Sequence, residues 1–423
     1  MKTIGDALSA MLPAFTPVGV ERVQLHQAQG RFLAEPEPAR FDLPPFDNSA
    51  MDGYAVRAAD LAAAGPETPV SLPVRGESRA GGPTPGPLPA GAAMRIFTGA
   101  PMPPGADAIV PQEQTRPGAS RDGGDPMVAV HAEPPPVGAH LRAQGSDLRT
   151  GEPMVPEGVA LGPGEIGLIA SQGIAAVSVH RRPLVAIVST GDELRDVTDP
   201  PRPGSIVNSN AYALAAQVRD AGGEPWILPN VPDEMEATLA TLREALRADV
   251  VLTCGGVSVG DYDLTKDAFA QVGIDADFWK VRIKPGKPLT FGRAGDGTPV
   301  VGLPGNPVSA MVTFDVFVRP GLRRMLGDPK PFPAPLRVVL AVDHRHGTGR
   351  TELARAFLEP PAAPGELPRA RPHRLQGSGS LPSVVGVDAY LILDGEQRDF
   401  PAGSELDALP IRGPRGSASA VFD

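Results

Sequence analysis

Cysteine is almost missing from this chain: 423 residues carry one, Cys254. An internal disulfide is excluded, which suits a reducing compartment and points to the cytoplasm. Long apolar runs are missing too, since none approaches the roughly 20 residues that a membrane span needs. The first residues, Met1 to Asp6, lack the continuous apolar core of a secretory leader. Positive charge is in deficit, with 39 Lys and Arg against 49 Asp and Glu and a net charge of -10. General nucleic-acid binding needs a basic surface and is not expected, although a local basic pocket fits within an acidic whole. A membrane partner is not expected either. What the chain has in plenty is turn-forming residues, 49 Gly and 51 Pro, beside a hydrophobic fraction of 41%. Strand and helix patterns recur between those turns, so the composition reads as many short strands rather than disorder. The length predicts two to four domains.

Helical spacing covers Ile4 to Leu12 and, more weakly, Leu25 to Ala34, until Pro36 and Pro38 break it. Between Phe41 and Leu141 short apolar runs (Val70–Val74, Ala93–Phe97, Ala108–Val110, Met127–Val130) alternate with Pro and Gly, the spacing of a small β-rich domain, with one short turn near Ala58 to Ala64. The stretch from Arg142 to His180 reads as a connector pairing with the N-terminal segment. From Pro183 strands and helices alternate. Strands are predicted at Leu184–Val188, Pro225–Leu228, Val250–Leu252, Phe278–Ile283 and Pro299–Leu303, with helices capped by Ser209 and Asp233 and a last helix from Pro307 to about Leu326. That alternation predicts an α/β domain, a mainly parallel sheet with helices on both faces. Past Pro329 the chain is again strand-like and Pro-rich, a small β-barrel or sandwich. The predicted domains are 1–40 with 142–180 (an elongated linker), 41–141 (β-rich), 181–328 (α/β) and 329–423 (β-barrel).

Chemistry concentrates in Thr253-Cys254-Gly255-Gly256-Val257-Ser258-Val259-Gly260-Asp261-Tyr262-Asp263. A strand running into consecutive glycines and then a helix turns several backbone N–H groups into one concavity that attracts phosphate. Three more loops are expected at the same sheet edge: Ser189-Thr190-Gly191-Asp192-Glu193-Leu194, Lys284-Pro285-Gly286-Lys287-Pro288 and Pro304-Gly305-Asn306-Pro307. Asn306 suits an N-cap and Pro307 a first helical residue, so that the last loop would present further free N–H donors. Each loop alone has a bland reading as a solvated turn or a helix start. Glu193, Asp261 and Asp263 suit Mg²⁺, which takes a few carboxylates with water and substrate phosphate. Lys280, Lys284 and Lys287 suit anions, with Lys280 and Lys284 at one strand parity. The acidic segment Phe41 to Ala55 stands open between an Asx-turn array at a domain junction and a functional site. Cys254 has no base positioned beside it and reads as a small buried residue. The seven histidines show no metal spacing; His344 and His346 read as solvent-facing.

Together these segments resemble the molybdopterin molybdenumtransferase family, known as MoeA in bacteria and as the E domain of gephyrin in animals. The resemblance runs through Asp47-Asn48-Ser49-Ala50-Met51-Asp52-Gly53-Tyr54-Ala55, Thr98-Gly99-Ala100-Pro101, Gly105-Ala106-Asp107-Ala108 and Gly145-Ser146-Asp147. It continues through Thr190-Gly191-Asp192-Glu193-Leu194, Asn208-Ser209-Asn210, the glycine loop, Lys284 to Pro288 and Leu303 to Pro307. It implies that adenylylated molybdopterin and molybdate enter and that molybdenum cofactor and AMP leave, with Mg²⁺ assisting. It implies a homodimer with each active site at the subunit interface, and transient contact with a molybdopterin adenylyltransferase. The matching positions are Asp52, Asp147, Glu193, Asp233 and Asp263 for catalysis, and Glu193, Asp261 and Asp263 for the metal. The substrate and anion set would be Thr190, Ser209, Gly255, Gly256, Ser258, Gly260, Lys280, Lys284, Lys287, Pro304, Gly305, Asn306, Arg355 and Ser378 of Gln376-Gly377-Ser378-Gly379-Ser380. The rivals are the adenylyltransferase step itself, a non-catalytic scaffold that keeps the fold, and a competence-type nucleotide hydrolase.

Overall fold

The computed structural model describes residues 1–118, 125–255, 264–361, 363 and 365–411. They form two compact units, one of residues 1–35, 157–166 and 175–423, the other of residues 36–156 and 167–174.

The larger unit is built on a six-stranded sheet in the order Glu224–Ile227, Leu184–Ser189, Val250–Cys254, Pro299–Leu303, Pro288–Arg293, Asp275–Lys280. The first four strands are parallel; Pro288–Arg293 runs against them, and Asp275–Lys280, antiparallel to it, returns to their direction. Both faces are covered, so the central strands are apolar along their whole length. The pleat sends Val185 and Ile187 into one core with Leu214 and Val218 of the Ser209–Asp220 helix. Ala186 and Val188 face the other core, with Leu242 of the Met235–Ala245 helix and Phe269 of the Leu264–Gln271 helix. The expected last helix is continuous from Pro307 to Met325, with a π-helical stretch at Phe314–Val318.

Five strands of the C-terminal part close on themselves: Thr351–Glu359, Arg369–Pro372, Leu336–Leu340, Glu405–Pro410 and Ala389–Leu393, which pairs back onto the first. This small barrel holds its own core of Val338, Ala354, Leu391 and Phe400. In the smaller unit a sheet runs Ala108–Pro111, Gly53–Val56, Ala93–Ile96, Val70–Ser78, Met127–Val130, Thr115–Gly118. The apolar runs read from the sequence in this region are strands. Gly53 is required there, because a β-carbon would overlap the Val110 carbonyl oxygen.

Some local readings are corrected. Leu25 to Ala34 is not a helix beyond a single 3₁₀ turn at Leu25–Gln27, because Gly30 and Leu33 give their N–H groups to the carbonyls of Leu161 and Val159. The cap of the Ser209–Asp220 helix is Asn208, whose side chain accepts the Ala211 N–H at 3.1 Å. Asp233 caps nothing: the next helix starts at Met235, and the Asp233 N–H is turned to the Asp192 carboxylate at 3.0 Å. Lys280 and Lys284 do not share a strand. The chain turns between them, and Ile283–Lys284 leaves the sheet to pair with Thr351 and Glu352 of the barrel. His346 is buried, its Nε2 held between the carbonyls of Asp394 and Gln397; His344 is half-buried. Among the described residues no helix is long and apolar enough to cross a membrane.

Phe15 is fully buried, and its ring lies where a β-carbon on Gly321 would sit, 2.6 Å away. Phe15→Ala is expected to destabilise the larger unit by about 3–5 kcal/mol, read from the shift in its urea unfolding transition.

Candidate active site

Strand register sets the site. Ser189 is paired with Cys254, and Cys254 with Leu303. Three parallel strands in step end at one level, so the loops beginning at Thr190, Gly255 and Pro304 open side by side at the carboxyl edge of the sheet, where open α/β sheets bind ligands. The approach is tight. The Thr190 N–H donates to the Cys254 carbonyl at 3.3 Å, and Gly255 has φ +96°. A β-carbon on Gly255 would also lie 2.9 Å from the Thr190 carbonyl oxygen, so any other residue is strained twice over. Glu193 folds back over Gly191, where a β-carbon would overlap its carboxylate.

Above these ends lies a cleft of about 90 Å³ lined by Thr190, Glu193, Ser209, Asn210, Gly255 and Gly305, among others. Asn210 is the residue that reasoning from the loops overlooked, although it stands in the Asn-Ser-Asn run. Its Nδ2 donates to the Gly305 carbonyl at 2.7 Å and lies 3.1 Å from Cys254 Sγ, tying two of the three loops together. Burial pushes the Cys254 thiol up to about 11, which makes it inert, as expected.

The Pro304–Pro307 loop departs from its expectation. Asn306 stands at the N-cap but makes no side-chain capping bond, and the Val308 N–H is spent on the Ser378 carbonyl at 3.0 Å. That bond brings the Gln376–Ser380 run to the same corner. Arg355 comes with it: Nη2 donates to the carbonyls of Leu375 and Gly377 at 3.3 Å each, and its backbone N–H to Gln376 Oε1 at 3.1 Å. The side chain is fully buried, yet Nε and Nη1 have no partner among the described residues. Burial pulls the guanidinium below its ordinary pKa, with nearby Tyr390 and Glu352 acting the other way. A buried guanidinium with two unpartnered nitrogens is able to meet an anion.

The lysines divide. Lys284 is half-exposed, with Nζ 3.0 Å from the buried Glu352 carboxylate. Lys280 and Lys287 are exposed. Gly286 between the last two packs against Thr313, so this loop rests on the helix that starts at Pro307. Asp233 is exposed and abuts the Glu193 loop, since the Gly191 N–H donates to the Val231 carbonyl at 3.1 Å. Gly256, Ser258, Gly260, Asp261 and Asp263 lie outside the described residues. Among the described residues no group of three or more His, Cys, Asp or Glu could hold a metal ion. Glu193 supplies one hard carboxylate at the cleft, a donor type that fits Mg²⁺ with phosphate and water as its other ligands.

In the smaller unit the aspartates of the acidic segment divide by their partners. Asp42 takes the Thr150 N–H and hydroxyl at 2.9 Å each, and Asp47 takes the Gln144 N–H at 2.7 Å. These two tie the segment to residues 144 and 150 over a long range and are not the local Asx turns expected. Asp52 is half-buried, and one oxygen, Oδ1, receives both the N–H and the hydroxyl of Thr98 at 2.7 Å. Those bonds, with Arg95 nearby, hold its carboxyl below the usual range. Asp147 is exposed and paired with Arg142 at 2.6 Å.

Family models match most of the chain: the MoeA N-terminal region (domain I and II) over residues 2–173, a probable molybdopterin binding domain over 186–324, and the MoeA C-terminal region (domain IV) over 337–411. The molybdopterin molybdenumtransferase 2 of Mycobacterium tuberculosis is 42% identical over 83% of this chain and 86% of its own length. The molybdopterin molybdenumtransferase of Bacillus subtilis is 36% identical over 94% of this chain and 91% of its own. The crystal structure of the molybdopterin biosynthesis MoeA protein from Pyrococcus horikoshii superposes with a TM-score of 0.80 at 30% identity, covering 97% of this chain and 99% of that one.

With its pKa raised, the Cys254 thiol stays protonated until well above neutral pH. At pH 8 the folded chain is expected to react with iodoacetamide about 100-fold more slowly than the urea-unfolded chain, two pKa units being a hundredfold in thiolate; mass spectrometry of the alkylated peptide measures the ratio.

Proposed function

This chain belongs to the molybdopterin molybdenumtransferase (MoeA) family, and from that premise we propose that it is an enzyme that inserts molybdate into adenylylated molybdopterin, releasing AMP and molybdenum cofactor. The observation that carries the reading is the gathering, at one in-step sheet edge, of a carboxylate-bearing cleft and a corner built around Arg355, whose Nε and Nη1 have no partner among the described residues. Cleaving a phosphoanhydride and receiving an oxyanion both require negative charge to be met by pre-placed donors, and this corner supplies them.

Within this reading Thr190, Ser209, Gly255 and Gly305 shape the floor of the phosphate site, with Gly256, Ser258 and Gly260 continuing it. Glu193, Asp261 and Asp263 hold Mg²⁺, which when bound neutralises charge on the phosphoanhydride and its leaving group. Arg355 and Lys284, with Ser378 beside them, take the molybdate oxygens; Arg355 offers a planar fork and Lys284 a mobile point charge. Lys280 and Lys287 add outer positive charge, Pro304 and Asn306 fix the loop that Asn210 grips, and Asp233 backs the Glu193 loop. Asp52 and Asp147 act on the site of a second copy of the chain in a homodimer. Asp52 suits this role because Thr98 keeps it ionised. The four-part domain division, a cytoplasmic setting and delivery of substrate by an adenylyltransferase complete the proposal.

Purified protein given adenylylated molybdopterin, Mg²⁺ and molybdate is expected to release AMP and active cofactor together. AMP formation from molybdopterin and Mg-ATP alone would instead point to the adenylyltransferase step. Glu193→Gln is expected to lower AMP release by about 100-fold or more with an unchanged melting temperature. If the site is completed by a second copy, mixing and exchanging the inactive Glu193→Gln and Asp52→Asn chains restores roughly a quarter of wild-type activity, since half the dimers are mixed and each carries one intact site. No recovery on mixing would place both residues in one copy's site or rule Asp52 out.

A further inference from the structure

A buried cluster behind Lys284 is left over by the reading above. The parallel step of Lys284 beside Glu352 puts Lys284 Nζ 3.0 Å from Glu352 Oε2. The same oxygen lies 3.3 Å from Nδ1 of His346. Glu352 and His346 have side chains 1% and 0% exposed, so neither is eased by water. The tautomer follows from the partners. Nε2 of His346 faces two acceptors, the carbonyls of Asp394 at 3.1 Å and Gln397 at 2.8 Å, so it carries a hydrogen. A neutral ring would then aim the Nδ1 lone pair at a carboxylate oxygen. A second proton, shared between Nδ1 and Oε2, removes that repulsion. At 3.3 Å this contact is long for a formed hydrogen bond, and Nδ1 has no other partner among the described residues. Lys284 holds the closer claim on the oxygen.

We propose that Glu352 and His346 are positioning residues for Lys284: Glu352 holds the ammonium until an incoming oxyanion draws Lys284 away, and His346 then takes over the carboxylate. The inference rests on Lys284 meeting an anion, as in the function proposed above. Without His346, moving Lys284 would strand a buried carboxylate, which costs several kcal/mol. With it, the Nδ1–H···Oε2 bond closes as the Lys284 contact opens. No bond to carbon or phosphorus changes; one proton is taken up from water. The surrounding charges fit. His344, two residues before His346, is half-buried, and burial lowers its pKa, so it adds little positive charge at neutral pH. Arg282 beside the Lys284 strand is engaged by Glu396 at 2.7 Å, and Arg355 on the barrel strand is held by carbonyls. Asp394 turns its carbonyl to the ring, and its carboxylate takes the Glu396 N–H at 3.0 Å.

The test uses the full chain and molybdate alone, with phosphate in a parallel series, titrated calorimetrically between pH 6 and 8.5. Binding is expected to tighten as pH falls, by up to about tenfold per pH unit, the limit for one coupled proton. His346→Gln should flatten that slope, whereas Lys284→Ala should weaken binding and flatten it as well. NMR of histidine-labelled wild-type protein gives a readout that needs no variant to fold: addition of molybdate should shift the His346 ring toward the doubly protonated form. A His346 ring unmoved by saturating molybdate, or His346→Gln with wild-type affinity and slope, overturns the proposal. Failure of the catalytic reading is separate: no AMP release from adenylylated molybdopterin leaves the molybdate and phosphate titrations to decide the proton coupling by themselves.

Discussion

The constraint on which the rest depends is the in-step pairing of three buried parallel strands, Leu184–Ser189, Val250–Cys254 and Pro299–Leu303. A parallel sheet covered on both faces reads as continuous apolar sequence, and its register is fixed because sliding by one residue would swap the two cores that Val185 and Ala186 separately fill. Once the register is fixed, the strands end together. Thr190, Gly255 and Gly305 then meet within van der Waals range, and only glycine suits the crowded middle position. The cleft is thus a consequence of core packing, and Asn210 seals it by gripping Gly305 and touching Cys254.

The second layer of the site comes from the barrel, and a buried polar latch fixes how the barrel meets the α/β layer. Asp315 in the π-helical stretch accepts from Arg319 at 2.8 Å and from the hydroxyl of Tyr390 at 3.0 Å. Burial pushes both the Asp315 carboxyl and the Tyr390 hydroxyl upward, while Arg319 draws the carboxyl back down. A π stretch in a helix costs hydrogen-bond geometry and recurs at functional sites. Here it carries Asp315, which the barrel strand grips through Tyr390. Tyr390 is the cross-strand partner of Arg355, so the latch also fixes where the unpartnered guanidinium sits. Such a buried network adds little net stability but specifies one arrangement.

Much of this was legible in the sequence wherever a pattern was local. Continuous apolar runs marked the central strands, Pro- and Gly-bounded runs marked the strands of the smaller unit, and the Gly, Asn and Pro punctuation marked the loops at the sheet edge. The misreadings share one cause, long-range partners. Leu25 to Ala34 has helical spacing, but its amides bond to residues 159 and 161 instead. Asp233 has the chemistry of a cap, yet its N–H answers to Asp192. His346 stands in a polar stretch that reads as surface, and the turn at Asp394–Gln397 covers it together with Phe400 and Glu352. In the same way Lys284 gave no sign of its partner, because Glu352 lies in another layer. The family resemblance supplied what spacing could not, namely Arg355 and the Gln376–Ser380 run.

Charge supplies the last step. A chain of net charge -10 repels a heavily anionic substrate at long range, and at physiological salt that repulsion fades beyond a Debye length of about 8 Å. Attraction must therefore come from groups that act at contact and are shielded from salt. Two arginines in this unit, Arg319 part-buried and Arg355 fully buried, show how the fold separates the tasks. Arg319 is neutralised by Asp315, so its charge is consumed in holding the layers together. Arg355 is held by carbonyl oxygens alone, with Nε and Nη1 idle. Keeping a cation buried without a carboxylate partner costs stability. Pairing it as Arg319 is paired would recover that stability and leave nothing for the substrate. In the function proposed above, that cost is what leaves Arg355 able to meet an anion against the chain's own net charge.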